Sequence, residues 1–257
     1  MDTWGYTQSN GPTTWVKNFP IAAGKKQSPI DIVTSNANYD SELCDNPLRT
    51  DYNPEAELNL VNNGHSIMCQ IKAKSELTGG PLDAVYRLEQ FHLHWGSSDD
   101  KGSEHTIDGN QYPAELHLVH WNTNKYKSFS EAVDKDDGLA VLGIMIKVGF
   151  ENQTFKCLTD NVSYLTSRGS KYTADTCIDP TLLLPGNTSQ YWTYDGSLTT
   201  PPLYESVKWI VFKEPVEYSK NQFAILRSMS DSDGQHMQDN FRPPLKIYQR
   251  TVKASFP

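Results

Sequence analysis

Two short segments, Gln90-Phe91-His92-Leu93-His94-Trp95 and Ala114-Glu115-Leu116-His117-Leu118-Val119-His120, alternate polar with apolar residues. A period of two is the signature of a strand, which puts residues i, i+2 and i+4 on one side of a sheet. A helix would repeat its faces every 3.6 residues. Gln90, His92 and His94 therefore share a face, with Phe91, Leu93 and Trp95 on the other, and Glu115, His117 and Val119 share a face of the second strand. If the two strands are neighbours, three imidazoles converge, with Gln90 and Glu115 each two residues from a histidine on the same side. Three neutral nitrogen donors leave one position open on a divalent metal, the layout of a catalytic zinc (Zn2+) site.

The rest of the chain reads as more of the same architecture. Strand patterns recur at residues 57–61, 66–71, 84–94, 114–121, 139–148 and 206–212, and Asn62-Asn63-Gly64 between the first two is a hairpin signal. Helical spacing is sparse: Phe155, Leu158, Val162 and Leu165 form one stripe, and Ser219 with Gln222 ahead of an apolar run forms a capping box. No repeat, low-complexity tract or linker divides the chain. The expected fold is mainly β, one domain over residues 1–257 around a large sheet with short peripheral helices. Strands adjacent in sequence are expected to pair antiparallel.

Composition narrows the function. A net charge of −8 argues against nucleic acid or an anionic membrane as partner. The longest apolar run, residues 139–146, is far short of a membrane span and reads as a buried strand. Cys44, Cys69, Cys157 and Cys177 show no metal or redox spacing; four reduced thiols are the favoured reading and two disulfides the alternative. Met1-Asp2-Thr3-Trp4 lacks the basic-then-apolar order of a secretory leader. A cytoplasmic monomer is expected. The alternative is a secreted protein without its leader, with which the sequons at Asn152, Asn161 and Asn187 are compatible.

The histidine pattern has rivals. A cupin places a glutamate a few residues after His-x-His, where this chain has none before Asp99. The metallo-β-lactamase pattern needs Asp where Gly96 stands. Two histidines on a strand can also be satisfied core residues. A third on a second alternating strand, with Gln90 and Glu115 placed to fix imidazole tautomers, favours the metal.

The chain resembles the α-class carbonic anhydrases over nearly its whole length. The resemblance runs through Trp4-Gly5-Tyr6, Asn10-Gly11-Pro12, Gln27-Ser28-Pro29-Ile30-Asp31-Ile32, Asn62-Asn63-Gly64-His65, both histidine strands, Gly102-Ser103-Glu104-His105-Thr106, Tyr191-Trp192-Thr193-Tyr194, Gly196-Ser197-Leu198-Thr199-Thr200-Pro201-Pro202 and Lys253-Ala254-Ser255-Phe256. It implies a twisted, mostly antiparallel sheet and a zinc lyase that hydrates carbon dioxide reversibly to bicarbonate and a proton. His92, His94 and His117 are then the zinc ligands. Thr199 and Glu104 become an orienting pair, the hydroxyl accepting from zinc-bound hydroxide and donating to the carboxylate. Val119, Val141, Leu198, Val207 and Trp209 become the apolar carbon dioxide pocket, and Thr200 a neighbour of bicarbonate. His65 becomes a proton shuttle, with Tyr6 and Asn63 ordering the intervening water. The resemblance leaves His105 as a buried structural histidine. His120 alternates away from His117, and His236 sits in a polar loop. Met68 departs from the family, standing where a polar residue commonly lines the cleft. The absence of a Cys pair near residues 22–23 and 203 favours a cytosolic type. Two further readings are a related protein that binds without catalysing, and a structural zinc protein whose fourth ligand is a cysteine such as Cys69.

Overall fold

The computed structural model describes residues 4–257, so the reading of Met1, Asp2 and Thr3 as no leader falls outside it. The alternating segments form strands, here numbered β1 (Ala56–Asn62), β2 (Ile67–Gln70), β3 (Tyr86–Trp95), β4 (Ala114–Asn122), β5 (Leu139–Val148), β6 (Lys171–Ile178), β7 (Tyr191–Gly196), β8 (Val207–Phe212) and β9 (Lys253–Ala254). They belong to one large sheet in the order β6-β1-β2-β3-β4-β5-β8-β7-β9, with the short strand Asn38–Tyr39 beyond β9. The mainly β, mostly antiparallel fold expected from the sequence is the one observed.

Antiparallel pairing of sequence neighbours holds for β1–β2, β3–β4, β4–β5 and β7–β8. It fails at β5–β8, which run parallel with Leu139 opposite Val207. Between these two strands the chain adds β6 to one margin of the sheet and places β7 on the far side of β8. A connection of that length can return a strand in either direction, whereas a tight turn cannot. The Asn-Gly hairpin is present, with Gly64 at φ +89°, a left-handed conformation that glycine adopts without a Cβ clash.

The 155–165 stripe is interrupted. An α-helix, Gln153–Thr159, is capped by Asn152, whose side chain accepts from the Phe155 N–H, and a separate 3-10 turn covers Val162–Tyr164. All four stripe residues are still buried. The helix Lys220–Arg227 carries the expected capping box of Ser219 and Gln222. No helix among the described residues is long and apolar enough to cross a membrane. All four cysteines are free thiols.

Strand alternation divides the apolar side chains between the two faces of the sheet. One face packs Leu58, Leu60, Phe91, Leu93, Leu116, Leu118, Leu142 and Ile144 against Phe155, Phe223 and Leu226 of the helices. Each of these fully buried side chains contributes about 1.5–3 kcal/mol by leaving water. The other face gathers Val119, Val141, Met145, Trp192, Tyr194, Val207, Trp209 and Val211. His92, His94 and His117 lie on that second face.

Candidate active site

The β3–β4 register sets His92 directly opposite His117 and His94 opposite Glu115, with Gln90 opposite Val119. On β5, Gly143 stands opposite His117, where a Cβ would come within 3.2 Å of Glu115 Oε1. A bare backbone there leaves room for the carboxylate. His92, His94 and His117 each bring a ring nitrogen to within 4.8 Å of the others.

Each imidazole spends one nitrogen outward. His92 Nδ1 donates to Gln90 Oε1 at 2.8 Å, His94 Nδ1 to the Asn240 carbonyl at 2.7 Å, and His117 Nε2 to Glu115 Oε1 at 2.7 Å. Carbonyl and carboxylate oxygens only accept, so they fix the proton on the outward nitrogen of His94 and His117. The nitrogens left for a shared centre are Nε2, Nε2 and Nδ1. Burial, reinforced by the neighbouring imidazoles, holds His92 and His94 below the usual histidine range, so both are neutral, as metal ligands must be. His94 Nε2 and Glu104 Oε2 are buried without a hydrogen-bond partner and lie 3.4 Å apart; a cation bound by the three nitrogens would satisfy the imidazole and offset the charge of the carboxylate beside it. The donor set fits zinc.

Glu115 does more than hold His117. Its Oε1 also accepts from His105 Nδ1 at 2.7 Å, and its Oε2 accepts from the Glu104 and His105 backbone N–H groups at 2.9 and 2.8 Å. Burial alone would raise its pKa, but the two imidazoles and their hydrogen bonds outweigh that and hold it well below the usual carboxylate range. His105 Nε2 accepts from the Tyr194 hydroxyl at 2.6 Å, and Tyr194 meets Ser28 Oγ at 2.8 Å. Ser28 and Ser197 then bond reciprocally, each N–H to the other's Oγ. An unbroken chain thus runs from His117 to the loop that carries Leu198, Thr199 and Thr200. His105, Glu115 and His117 could themselves group around a metal, but their facing atoms are already spent on one another.

Glu104 is completely buried, not a solvated loop acid. Its Oε1 accepts from the Arg242 N–H at 2.8 Å, and its Oε2 is turned toward His94 and His117. Thr199 is also buried, yet no hydrogen bond joins its hydroxyl to Glu104: one carboxylate oxygen is taken by Arg242 and the other faces the imidazoles. Val119, Val141, Val207 and Trp209 are buried together, with Leu198 packed against them. The Trp209 ring meets His117 edge-on at 4.8 Å, and its Nε1 donates to the Ser197 carbonyl. Thr200 is half-buried, and its carbonyl accepts from the Leu203 N–H.

His65 is 9% exposed and stacked on Trp4 at 3.6 Å between ring centres, with Tyr6 edge-on at 6.5 Å. Asn63 Oδ1 caps this turn, accepting from the His65 and Ser66 N–H groups. The Tyr6 hydroxyl is buried, and desolvation, helped by the charge of Glu104, raises its pKa well above the usual tyrosine value. Met68 pairs with His92 across β2 and β3 and is half-buried on the histidine face. Cys69 alternates to the opposite face, which removes it as a fourth ligand. His120 is on that opposite face too, and His236 is exposed.

Sequence reasoning missed Asn240 and Arg242. Asn240 serves both histidine regions: its carbonyl holds His94, its Oδ1 accepts from Trp95 N–H, and its Nδ2 donates to the His65 carbonyl. Arg242 is 3% exposed and donates to Gln27 Oε1 and the Ser28 carbonyl while its backbone holds Glu104. The one hint was Arg242 ahead of Pro243-Pro244 in an otherwise polar stretch, which carries no periodicity.

A family model for eukaryotic-type carbonic anhydrase matches residues 10–256. Human carbonic anhydrase 7 is 47% identical over 98% of this chain and 97% of its own length. Mouse carbonic anhydrase 1 is 49% identical over 98% of each, and mouse carbonic anhydrase 7 is 46% identical over 98% of this chain and 97% of its own. Fold, histidine cluster and full-length similarity agree, and the chain belongs to the carbonic anhydrase family.

Proposed function

We propose that this carbonate dehydratase hydrates carbon dioxide reversibly to bicarbonate and a proton, with Zn2+ held by His92 Nε2, His94 Nε2 and His117 Nδ1. The observation that carries this reading is the set of three outward hydrogen bonds, to Gln90, Asn240 and Glu115, which leaves three ring nitrogens facing one point. Zinc, when bound, brings a coordinated water to a pKa of about 7 in this family, so hydroxide is available at neutral pH. Neutral ligands keep the metal's charge uncompensated, which a cysteine or aspartate ligand would not.

The chain supplies position and an exit for the proton. Val119, Val141, Leu198, Val207 and Trp209 offer an uncharged, linear substrate a surface that asks for no hydrogen bonds. Glu104, held from behind by Arg242, presents Oε2 to the histidine centre, where it can accept a hydrogen bond from the Thr199 hydroxyl, a pairing that orients the attacking oxygen rather than removing a proton. Thr200 lies beside the product. His65, with Tyr6 and Asn63, carries the proton toward solvent. The closed cysteine-ligated site loses its support because Cys69 faces away, and the non-catalytic reading because His92, His94, His117, Glu104 and Thr199 are all present.

Stopped-flow hydration by the zinc-loaded protein tests the reading; the uncatalysed rate alone would overturn it. Binding of an aromatic sulfonamide to the metal checks separately that a coordination position is open. His65→Ala should slow turnover at saturating substrate, added imidazole should restore much of it, and carbon dioxide–bicarbonate exchange should barely change. Equal loss in both rates would remove His65 as the shuttle.

A further inference from the structure

Thr193 alternates with Tyr194 along β7 and so stands on the face away from the histidine chain. A cavity of about 380 Å3 lies there, between the short helix Glu42–Asp45, residues 80–83, β7 and residues 251–253. Four carboxylates line it, Asp40, Glu42, Asp83 and Asp195, against the two ammonium groups of Lys208 and Lys253, a formal charge of −2. Both lysines are already paired, Lys253 with Asp40 at 2.7 Å and Lys208 with Asp195. Glu42 and Asp83 have no ion pair among the described residues.

A second, independent feature marks the same cavity. Thr193 is 3% exposed, lines the wall, and has no hydrogen-bond partner for its hydroxyl. The Tyr191 hydroxyl, next along the same face, is also buried and unpartnered. It lies 2.8 Å from where a side chain on Gly80, a residue of the cavity wall, would begin, so only a glycine fits beside it. Buried hydroxyls left unbonded cost about 1–3 kcal/mol each, and a donor entering the cavity recovers that.

No three of these carboxylates come close enough together to share one ion. Among the described residues, acid and histidine groups close enough to share one ion occur only at the histidine centre. A metal needs converging oxygens, whereas an extended organic cation can meet separated ones. Leu43 and Leu82 supply an apolar stretch for methylene groups. We propose that this cavity binds a short aliphatic diammonium ion, its charged ends held by Glu42 and Asp83 and one ammonium N–H donated to Thr193 Oγ1.

The test is titration of 1,4-diaminobutane into the 15N-labelled, zinc-loaded protein, its metal position occupied by an aromatic sulfonamide, followed by two-dimensional NMR. The expected result is saturable shifts at Gly80, Leu82, Thr193 and Thr251. Glu42→Gln and Asp83→Asn should each weaken binding by about two- to fivefold, the range of a partly exposed charge pair. Thr193→Val should weaken it further, while Asp160→Asn, a remote acid, should not. Shifts that stay linear with concentration, that centre elsewhere, or that 1,4-butanediol reproduces would overturn the proposal, as would unchanged affinity in Asp83→Asn. Because the metal position is blocked, none of these outcomes depends on the hydration chemistry.

Discussion

His117 and His120 lie three residues apart on β4, both buried, yet only one belongs to the site. His120 faces the leucine-rich core, where Nδ1 donates to the Ala140 carbonyl and Nε2 accepts from the Tyr52 hydroxyl at 2.6 Å. Both nitrogens are used, and the ring is a structural crosslink. His117 spends only Nε2, on Glu115, and keeps Nδ1 for the centre shared with His92 and His94. Burial therefore does not distinguish a core histidine from a ligand. The face of the strand does, and so does whether the second nitrogen has a partner.

The largest effect should come from removing a ligand nitrogen. His117→Ala and His94→Ala should each lower zinc affinity by more than the roughly tenfold to hundredfold that losing an outer hydrogen bond costs. Competition with a chelator measures this, and an affinity like the parent's would break the distinction. Next comes the outer bond itself. Glu115→Gln leaves every ligand in place but removes the anion that two imidazoles share, and a loss of about tenfold to hundredfold is expected in the same assay.

The smallest effect, and a sharper one, is at His120. His120→Phe should leave zinc affinity unchanged while lowering stability by about 1–3 kcal/mol, since the Tyr52 hydroxyl is left buried and unpaired; urea unfolding reports it. The variant should also change the pH dependence. Burial pushes the His120 pKa down to about 3, from an ordinary 6.5. As pH falls from 6.5 toward 3 the unfolded chain takes up a proton that the folded chain refuses, so stability is lost across that window, by up to about 1.4 kcal/mol per pH unit. His120→Phe should flatten the slope by that amount. An identical slope would mean that His120 is not the group refusing the proton.

How much of this was legible in the sequence follows from how local each signal is. Period-two alternation placed His92, His94, His117, Gln90 and Glu115 on one face, because a strand fixes side from spacing alone. It placed His120 on the other face by the same rule. Spacing could not reveal the parallel return of β8 beside β5, which depends on where the intervening chain is deposited. Nor could it reveal Asn240, whose useful atom toward His94 is a backbone carbonyl that any residue would supply. Glu104 reads alone as a loop acid, and its complete burial is visible only once Arg242 is brought behind it.

The hydrogen bond between His94 and Asn240 spans 146 positions of the chain. At typical synthesis rates of 5–20 residues per second, about 7–30 seconds separate the two residues as they emerge from the ribosome. A nascent chain can therefore own all three ligand histidines while one ring still lacks its anchor, and Trp209 and the Thr199 loop also arrive late. The anchor that fixes the His94 ring is therefore completed only near the end of translation, and a chain that stops short of Asn240 would leave that ring free to turn.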